Sequence, residues 1–130
     1  MTIPFWCLAA ACLLPYLIFG ATVRPRAVLP GGLDNNHPRV QQATLEGFGA
    51  RMIGAHKNAF EALGVFAPAV IVAHLAGADP IWSARLALVF IGARVLHPIF
   101  YGANIAPLRT LSFATGLLAA LGQFVLAAMA

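Results

Sequence analysis

The chain has 130 residues, the length of a single domain. Its hydrophobic share is 61% and its charged share is 9%, whereas soluble domains average about 45–50% and about 25%. So few charges cannot cover the surface of a water-soluble globule, which excludes an ordinary soluble enzyme, a disordered protein and a coiled coil. The mean hydropathy of +0.84 instead indicates an all-α integral membrane protein, embedded in lipid for most of its length.

Four apolar segments follow one another, and the breaks between them are rich in proline, glycine and asparagine. Each segment is long enough to cross a hydrocarbon core of about 30 Å at about 1.5 Å per residue. We therefore expect one four-helix domain over residues 1–130, surrounded by membrane lipids. The predicted spans are residues 3–23, 42–76, 81–101 and 108–129, with a loop over residues 24–41.

The net charge of +4 comes mostly from arginine. No cluster of basic residues is interleaved with aromatics, so the charge does not predict nucleic-acid binding. Loop one carries Arg24, Arg26 and Arg39, and Arg109 lies beside loop three. The positive-inside rule then places loops one and three in the cytoplasm and both termini outside.

Ionisable and amide side chains interrupt the second apolar segment. Arg51, Asn58 and Glu61 are separated by seven and three residues, so they share one face of a helix. Polar groups inside membrane helices are energetically costly, and each is therefore a candidate functional residue. This face predicts one side of a polar site.

The third segment carries a matching stripe of polar residues. Arg94, His97 and Tyr101 are separated by three and four residues and also share one face. Two such stripes on adjacent helices predict a hydrated cleft near the cytoplasmic end. An alternative is that the charges pair only with each other, Glu61 with Arg94 or Arg51, and serve as structural contacts.

Two motifs resemble a known family. Residues 55–61, AHKNAFE, are similar to the A-H-x-N-x-x-E signature of the membrane-associated proteins in eicosanoid and glutathione metabolism, the MAPEG family. Residues 94–101, RVLHPIFY, and residues 106–109, APLR, resemble that family's R-x-x-H/Y-x-x-x-Y and A-P-x-R segments. The number of spans and the long first loop also agree, so the resemblance covers nearly the whole chain.

The resemblance implies a homotrimer of four-helix subunits, of bacterial type and in a bacterial inner membrane. It also implies that glutathione binds as co-substrate between neighbouring subunits, at the cytoplasmic side. The implied reaction is attack of the glutathione thiolate on a lipophilic small molecule, either an electrophile or a hydroperoxide, that arrives from the bilayer.

The same resemblance assigns roles to individual residues. Arginine can hold a carboxylate and Asn can both donate and accept hydrogen bonds, which suits the carboxylates and amides of glutathione. Arg109 matches the family arginine beside the thiol, where a cation would lower the thiol pKa and supply the thiolate, so it is the expected catalytic residue. The expected glutathione-binding residues are Arg51, Asn58, Glu61, Arg94, His97 and Tyr101, with Glu61 on the ammonium or on an arginine.

Two positions depart from the family pattern. Gly54 stands where members that use glutathione commonly have an arginine, and Phe113 stands where they often have a tyrosine. One carboxylate anchor and one hydroxyl are therefore absent, and Arg51, one helical turn earlier, is a possible substitute for the arginine. Such departures favour an alternative function.

Three functions are therefore expected from the sequence. The first is a membrane-bound glutathione transferase or peroxidase. The second is a non-catalytic lipid-binding or scaffold protein on the same fold. The third is a small transporter that uses Glu61 as a proton-coupled site. The four histidines lack H-x-x-x-H or H-x-x-H spacing, so no metal site is expected.

Overall fold

The computed structural model describes all 130 residues, and every regular element is a helix. Four helical segments are long and apolar enough to span a membrane, which confirms the predicted all-α membrane fold. Two short helices lie in the connection between the first and second spans. The helices are α1 (Ile3–Gly20), α2 (Val23–Ala27), α3 (Pro38–Ala43), α4 (Gly47–Leu75), α5 (Pro80–Gly102) and α6 (Ala106–Ala128).

The structure differs from the second predicted span, 42–76, because the chain breaks before α4. α3 ends at Ala43 and α4 begins only at Gly47. Between them Glu46 is extended, at φ −118° and ψ 171°, and Gly47 has a φ of +54°. A positive φ is strained for a residue with a Cβ, so the glycine accommodates this turn. Residues 42–46 of the predicted span therefore belong to the first connection.

The first connection, predicted as a loop over 24–41, is folded around a buried arginine. Arg26 Nε donates to Gln41 Oε1 at 2.9 Å, and Arg26 Nη2 donates to the carbonyl of Asp34 at 3.2 Å. Gln41 Nε2 donates in turn to the carbonyl of Gly32 at 2.6 Å. These contacts satisfy polar groups that the surrounding apolar chain would otherwise leave unpaired. Loop one thus has its own hydrogen-bonded order.

The turn between α4 and α5 lies where glycine and proline separate the second and third apolar segments of the sequence. Gly77, which follows the C-cap residue Ala76 of α4, has a φ of +77°, a conformation that suits glycine at a helix C-terminus. Asp79 caps α5, because its Oδ1 accepts hydrogen bonds from the backbone N–H groups of Ile81 and Trp82 at 2.9 Å each. α5 and α6 begin and end within two residues of the predicted bounds.

The core of the bundle lies among α1, α4, α5 and α6. Phe66 of α4 stacks on Phe90 of α5, with ring centroids 3.7 Å apart. Cys7 and Ala11 of α1 pack against this pair. Both cysteine thiols are free, and Cys12 is exposed on another side of α1. The stacked rings give α4 and α5 a rigid contact just below the polar face of α4.

A buried polar pair joins α5 to α6 near the α4–α5 turn. Ser83 Oγ donates to Gln123 Oε1 at 2.9 Å, and Gln123 Nε2 donates back to the carbonyl of Ser83 at 2.8 Å. Gln123 is fully buried, with 0% of its surface exposed. Each partner satisfies the other, so this pair is a structural contact between helices.

Candidate functional site

A cleft of about 530 Å³ opens between α4, α5 and α6, at the end of the bundle where α5 turns into α6. The two polar stripes predicted on α4 and α5 both face it. It brings together five of the seven predicted site residues, and Arg51 and Arg94 are the two that do not line it. Its lining residues are Gly54, Lys57, Asn58, Glu61, His97, Tyr101, Arg109, Thr110 and Phe113.

On α4, the amide of Asn58 connects a carboxylate to an arginine. Asn58 Nδ2 donates to Glu61 Oε2 at 3.0 Å, and Arg94 Nη2 donates to Asn58 Oδ1 at 2.7 Å. Glu61 therefore reaches Arg94 through the amide and not by a direct ion pair, in contrast to the structural pairing considered above. The carboxylate keeps accepting positions on the cleft side for a cationic ligand group.

On α5, His97 is held in one orientation. Its Nδ1 lies 3.3 Å from the backbone carbonyl oxygen of Arg109. A carbonyl only accepts, so the Nδ1 carries the hydrogen and the Nε2 carries a lone pair. The imidazole also meets the ring of Tyr101 edge-on, with centroids 5.8 Å apart. His97 thus ties the start of α6 to α5 and fixes the position of Arg109.

Tyr101 lies directly over Gly54 and leaves no space for a side chain there. A Cβ added at position 54 would lie 2.9 Å from the Tyr101 hydroxyl and 3.0 Å from its Cε1. The guanidinium of Arg109 lies over the other part of the same ring, 4.9 Å from its centroid. Any side chain at position 54 would therefore displace the tyrosine and the arginine that packs on it. In this chain the Tyr101 ring occupies the space that a side chain at position 54 would need.

Arg51 does not reach the cleft. Its Nε and Nη2 donate to the carbonyl oxygen of Gly102 at 3.3 and 3.1 Å. That carbonyl belongs to the last turn of α5, where a cation is favoured by the helix dipole. Arg51 shares a helical face with Asn58, but it lies farther toward the start of α4. The hypothesis that Arg51 replaces an arginine at position 54 finds no support in this geometry.

Arg94 lies on the far side of the Asn58–Glu61 pair, in a separate cavity of about 160 Å³. Only 2% of its surface is exposed. Sequence spacing places Arg94 with His97 and Tyr101 on one helical face. The structure places them in different cavities, because Arg94 lies one helical turn before His97 and two turns before Tyr101.

Sequence reasoning missed Lys57 and Thr110 as members of the site. Gly54, Lys57, Asn58 and Glu61 are spaced i, i+3, i+4 and i+7, the pattern of one helical face, and that spacing could have identified Lys57. Lys57 is exposed in the single chain and adds a second cation to the cleft beside Arg109. Thr110 carries no distinguishing signal in the sequence.

His56, the second residue of the AHKNAFE motif, faces away from the cleft. Its Nδ1 lies 2.9 Å from the carbonyl oxygen of Pro15 in α1. Its ring packs against Phe19 and Phe60, each with centroids 5.2 Å from the imidazole. His56 is thus a contact between α1 and α4. No group of three or more metal-ligating side chains is found in the chain.

The fold and the cleft together define a helical integral membrane protein with a cationic site at one end of its bundle. A sequence model of the MAPEG family matches residues 3–129. The chain therefore belongs to the MAPEG family, as its two motifs predict. No curated protein matches the chain.

Proposed function

We propose that this protein is a membrane-bound glutathione transferase or peroxidase. MAPEG proteins include enzymes of this type and generally use glutathione. The observation that supports the proposal is the cleft, where two cations, an amide, a carboxylate and a phenol converge at one end of the bundle. Glutathione carries two carboxylates, an ammonium, a thiol and two amides, so each of these side chains has a complementary group.

Different side chains of the cleft match different groups of glutathione. Lys57 and Arg109 supply the positive charge that carboxylates need, and Glu61 is the one carboxylate in the cleft that can hold an ammonium. Arg109 also supplies a cation over the Tyr101 ring, 4.9 Å from its centroid, and a cation near the glutathione thiol would favour the thiolate. When glutathione is bound, it supplies the sulfur nucleophile, and the adjacent cation and hydroxyl stabilise its charge.

The single chain leaves part of this site uncovered, which supports assembly into a homotrimer. Lys57 and Glu61 are exposed on α4, well inside a spanning helix of 29 residues. Contact of these charges with lipid would be energetically costly, so a protein neighbour is expected to cover them. The proposal places the co-substrate between neighbouring subunits, in a bacterial inner membrane with loops one and three cytoplasmic.

The test is calorimetric titration of glutathione into the protein in nanodiscs. We expect saturable binding at sub-millimolar affinity, weakened in Glu61→Gln, and thiolate absorbance that disappears in Arg109→Ala. Arg85→Ala is the matched control, because the Arg85 guanidinium also packs on an aromatic ring, Trp82, at 4.8 Å, but outside the cleft. Absence of heat at about 10 mM glutathione, where even a millimolar ligand gives a signal, would reject the proposal.

A lipid-binding or scaffold role is the second candidate, and one observation favours it. Arg51 is tied to the carbonyl of Gly102, and Gly54 has no side chain, so one expected carboxylate anchor is absent from the cleft. Under this alternative the protein purifies with bound lipid, binds no glutathione, and is unaffected by Arg109→Ala. Mass spectrometry of the protein before it is placed in nanodiscs shows whether lipid remains bound, and this distinguishes the two candidates.

A further inference from the structure

A groove of about 350 Å³ lies between α1, α4 and α5 and shares no lining residue with the cleft. It is formed by the last turns of α1 and α5 and by the first turns of α4, so it lies at the end of the bundle that carries loop one. Most of its lining is hydrophobic. This α1–α5 groove is therefore an apolar surface near the depth where the hydrocarbon of a bilayer meets the headgroups.

The shape of the α1–α5 groove suits a flexible alkyl chain. Its floor is narrow, because a Cβ added at Gly102 would lie 3.0 Å from Phe48 Cε2 and 3.2 Å from Met52 Sδ. Its rim is open, since Leu17 and Ile99 are 73% and 57% exposed. The volume is more than twice that of cavities of about 150 Å³ that hold a benzene ring, so part of an acyl chain fits.

Arg51 lies at the end of this groove and has free hydrogen-bond donors. Its Nε and Nη2 donate to the carbonyl oxygen of Gly102, a residue that lines the groove. A guanidinium carries five N–H groups, so three remain for another acceptor. Arg51 is also partly exposed. A guanidinium with free donors beside an apolar groove is suited to a phosphate group on an alkyl chain.

Arg24 supplies a second cation at the same end of the bundle. It is exposed in α2, three residues after Ala21, which lines the groove. The next residue, Pro25, packs on the start of α4, because a Cβ added at Gly49 would lie 3.0 Å from Pro25 Cβ. Gly49 directly follows Phe48 of the groove floor. Arg24 is thus held beside the end of the groove by contacts on both sides.

We propose that the α1–α5 groove binds an anionic phospholipid, with one acyl chain along Leu17 and Ile99 and the phosphate on Arg24 and Arg51. Basic pockets between membrane helices on the cytoplasmic side hold anionic headgroups, and the orientation predicted from the loop charges places the groove on that side. A zwitterionic headgroup fits less well, because its own cation is repelled by the two arginines. The lipid lies outside the cleft, so it is expected under either candidate function, and its loss in Arg51→Gln distinguishes it from a lipid held in the cleft.

The first test concerns the headgroup. The intact protein in detergent is titrated with phosphatidylglycerol and with phosphatidylcholine of identical chains, and bound lipid is counted by native mass spectrometry. We expect one phosphatidylglycerol per chain, bound more tightly than phosphatidylcholine. Arg24→Gln and Arg51→Gln should each weaken phosphatidylglycerol binding about fivefold, the loss expected for one basic residue beside an anionic headgroup.

Arg39→Gln is the matched control for both variants. Arg39 is exposed in α3 of the same connection, and the substitution removes the same charge without altering a lining residue of the groove. Phosphatidylglycerol binding should change less than about twofold, well below the effect of one headgroup contact. Equal losses in all three variants would show diffuse attraction to loop one and would overturn the proposal.

The second test concerns the acyl chain. Ala103→Leu adds bulk at the exposed edge of the groove and should weaken phosphatidylglycerol binding about tenfold by overpacking it. Ala128→Leu adds the same side chain to an exposed position of α6 and should have no effect. Glycerol phosphate, which has the headgroup charge but no chain, should not displace the lipid. Displacement by glycerol phosphate, or unchanged lipid binding in Ala103→Leu, would refute the groove as the site of the chain.

The third test asks whether lipid or a second copy of the chain covers the groove. Leu17→Cys is labelled with bimane in a Cys12→Ser background, which lacks the exposed native thiol, and placed in nanodiscs. Brominated phosphatidylglycerol should quench the label more strongly than brominated phosphatidylcholine does. A label at Leu118→Cys, a position of α6 that is 67% exposed, should be quenched equally by both lipids. Equal quenching at position 17 would contradict a specific lipid, and absence of quenching there would assign the groove to a neighbouring subunit; either result overturns the proposal.

Discussion

The two ends of the bundle bury polar groups in opposite ways. Near the α4–α5 turn, Gln123 and Ser83 satisfy each other through two hydrogen bonds. Toward the α5–α6 turn, Arg94 Nε and His97 Nε2 are buried with no partner. A satisfied pair stabilises helix packing, whereas an unsatisfied donor and acceptor are retained against their energetic cost. The comparison separates an end where buried polar groups satisfy each other from an end where two of them have no partner within the chain.

The largest expected effect is loss of catalysis on removal of Arg109. Under the proposed function, Arg109→Ala removes the cation that stabilises the glutathione thiolate, so we expect turnover to fall about 100-fold or more while the protein still folds. Arg85→Ala, which removes an arginine stacked on the Trp82 ring near the opposite end, should leave turnover unchanged. Steady-state kinetics measures the turnover of each variant, and thermal melting shows whether each variant folds. Equal activity of the two variants would contradict a functional difference between the two ends of the bundle.

The second prediction concerns the structural end. Gln123→Ala breaks both interhelical hydrogen bonds, each worth about 0.6–1.7 kcal/mol in membrane proteins, and leaves a small void. We expect a loss of about 2 kcal/mol in the free energy of unfolding, with glutathione affinity unchanged. Denaturation in mixed detergent micelles measures this loss. Adding Ser83→Ala should contribute little further, because its partner is already gone; an additive second loss would contradict the pairing.

The third prediction tests the contact between Gly54 and Tyr101. Gly54→Ala places a Cβ 2.9 Å from the tyrosine hydroxyl, so the ring and the stacked Arg109 must shift. We expect glutathione affinity to fall about tenfold, which corresponds to about 1.4 kcal/mol. Gly64→Ala is the control on the same helix, since nothing lies within 4 Å of its Cβ position. That control should keep its affinity and gain about 0.5–1 kcal/mol of helix stability.

The smallest effect is expected in loop one, where Asp34 accepts hydrogen bonds from the backbone N–H groups of His37 and Asn36 at 2.8 Å each. These bonds, the one from His37 first, lower the pKa of Asp34 from its ordinary value of 3.8. A lowered folded pKa gives stability that is present above pH 3.8 and lost as pH falls through the folded pKa.

Hydrogen exchange of the loop-one amides measures this dependence. Protection at His37 and Asn36 should be constant above about pH 5 and should decline only in strong acid, after correction for the intrinsic exchange rate. Asp34→Ala should remove that protection at every pH without altering the cleft. A decline of protection between pH 5 and 7 would show that a group other than Asp34 controls the protection of these amides.

How much of this molecule was predictable varies from element to element. The apolar segments predict α5 and α6 within two residues, because hydropathy and length alone decide what crosses a bilayer. The break before α4 was missed, since Gly47 gives no sign in the sequence that its φ is positive. Periodicity also placed Asn58, Glu61, His97 and Tyr101 on faces that do meet in the cleft.

The sequence by itself determined the membrane fold, the family and the polar helix faces, because these depend on composition and on residue spacing along one helix. Only the tertiary structure decided which side chains line the cleft together. Arg51 reaches the end of α5, Arg94 lies behind Asn58, and Tyr101 occupies the space over Gly54. Such contacts depend on the depth and rotation of one helix against another, and helical spacing specifies an angle about the axis but no partner.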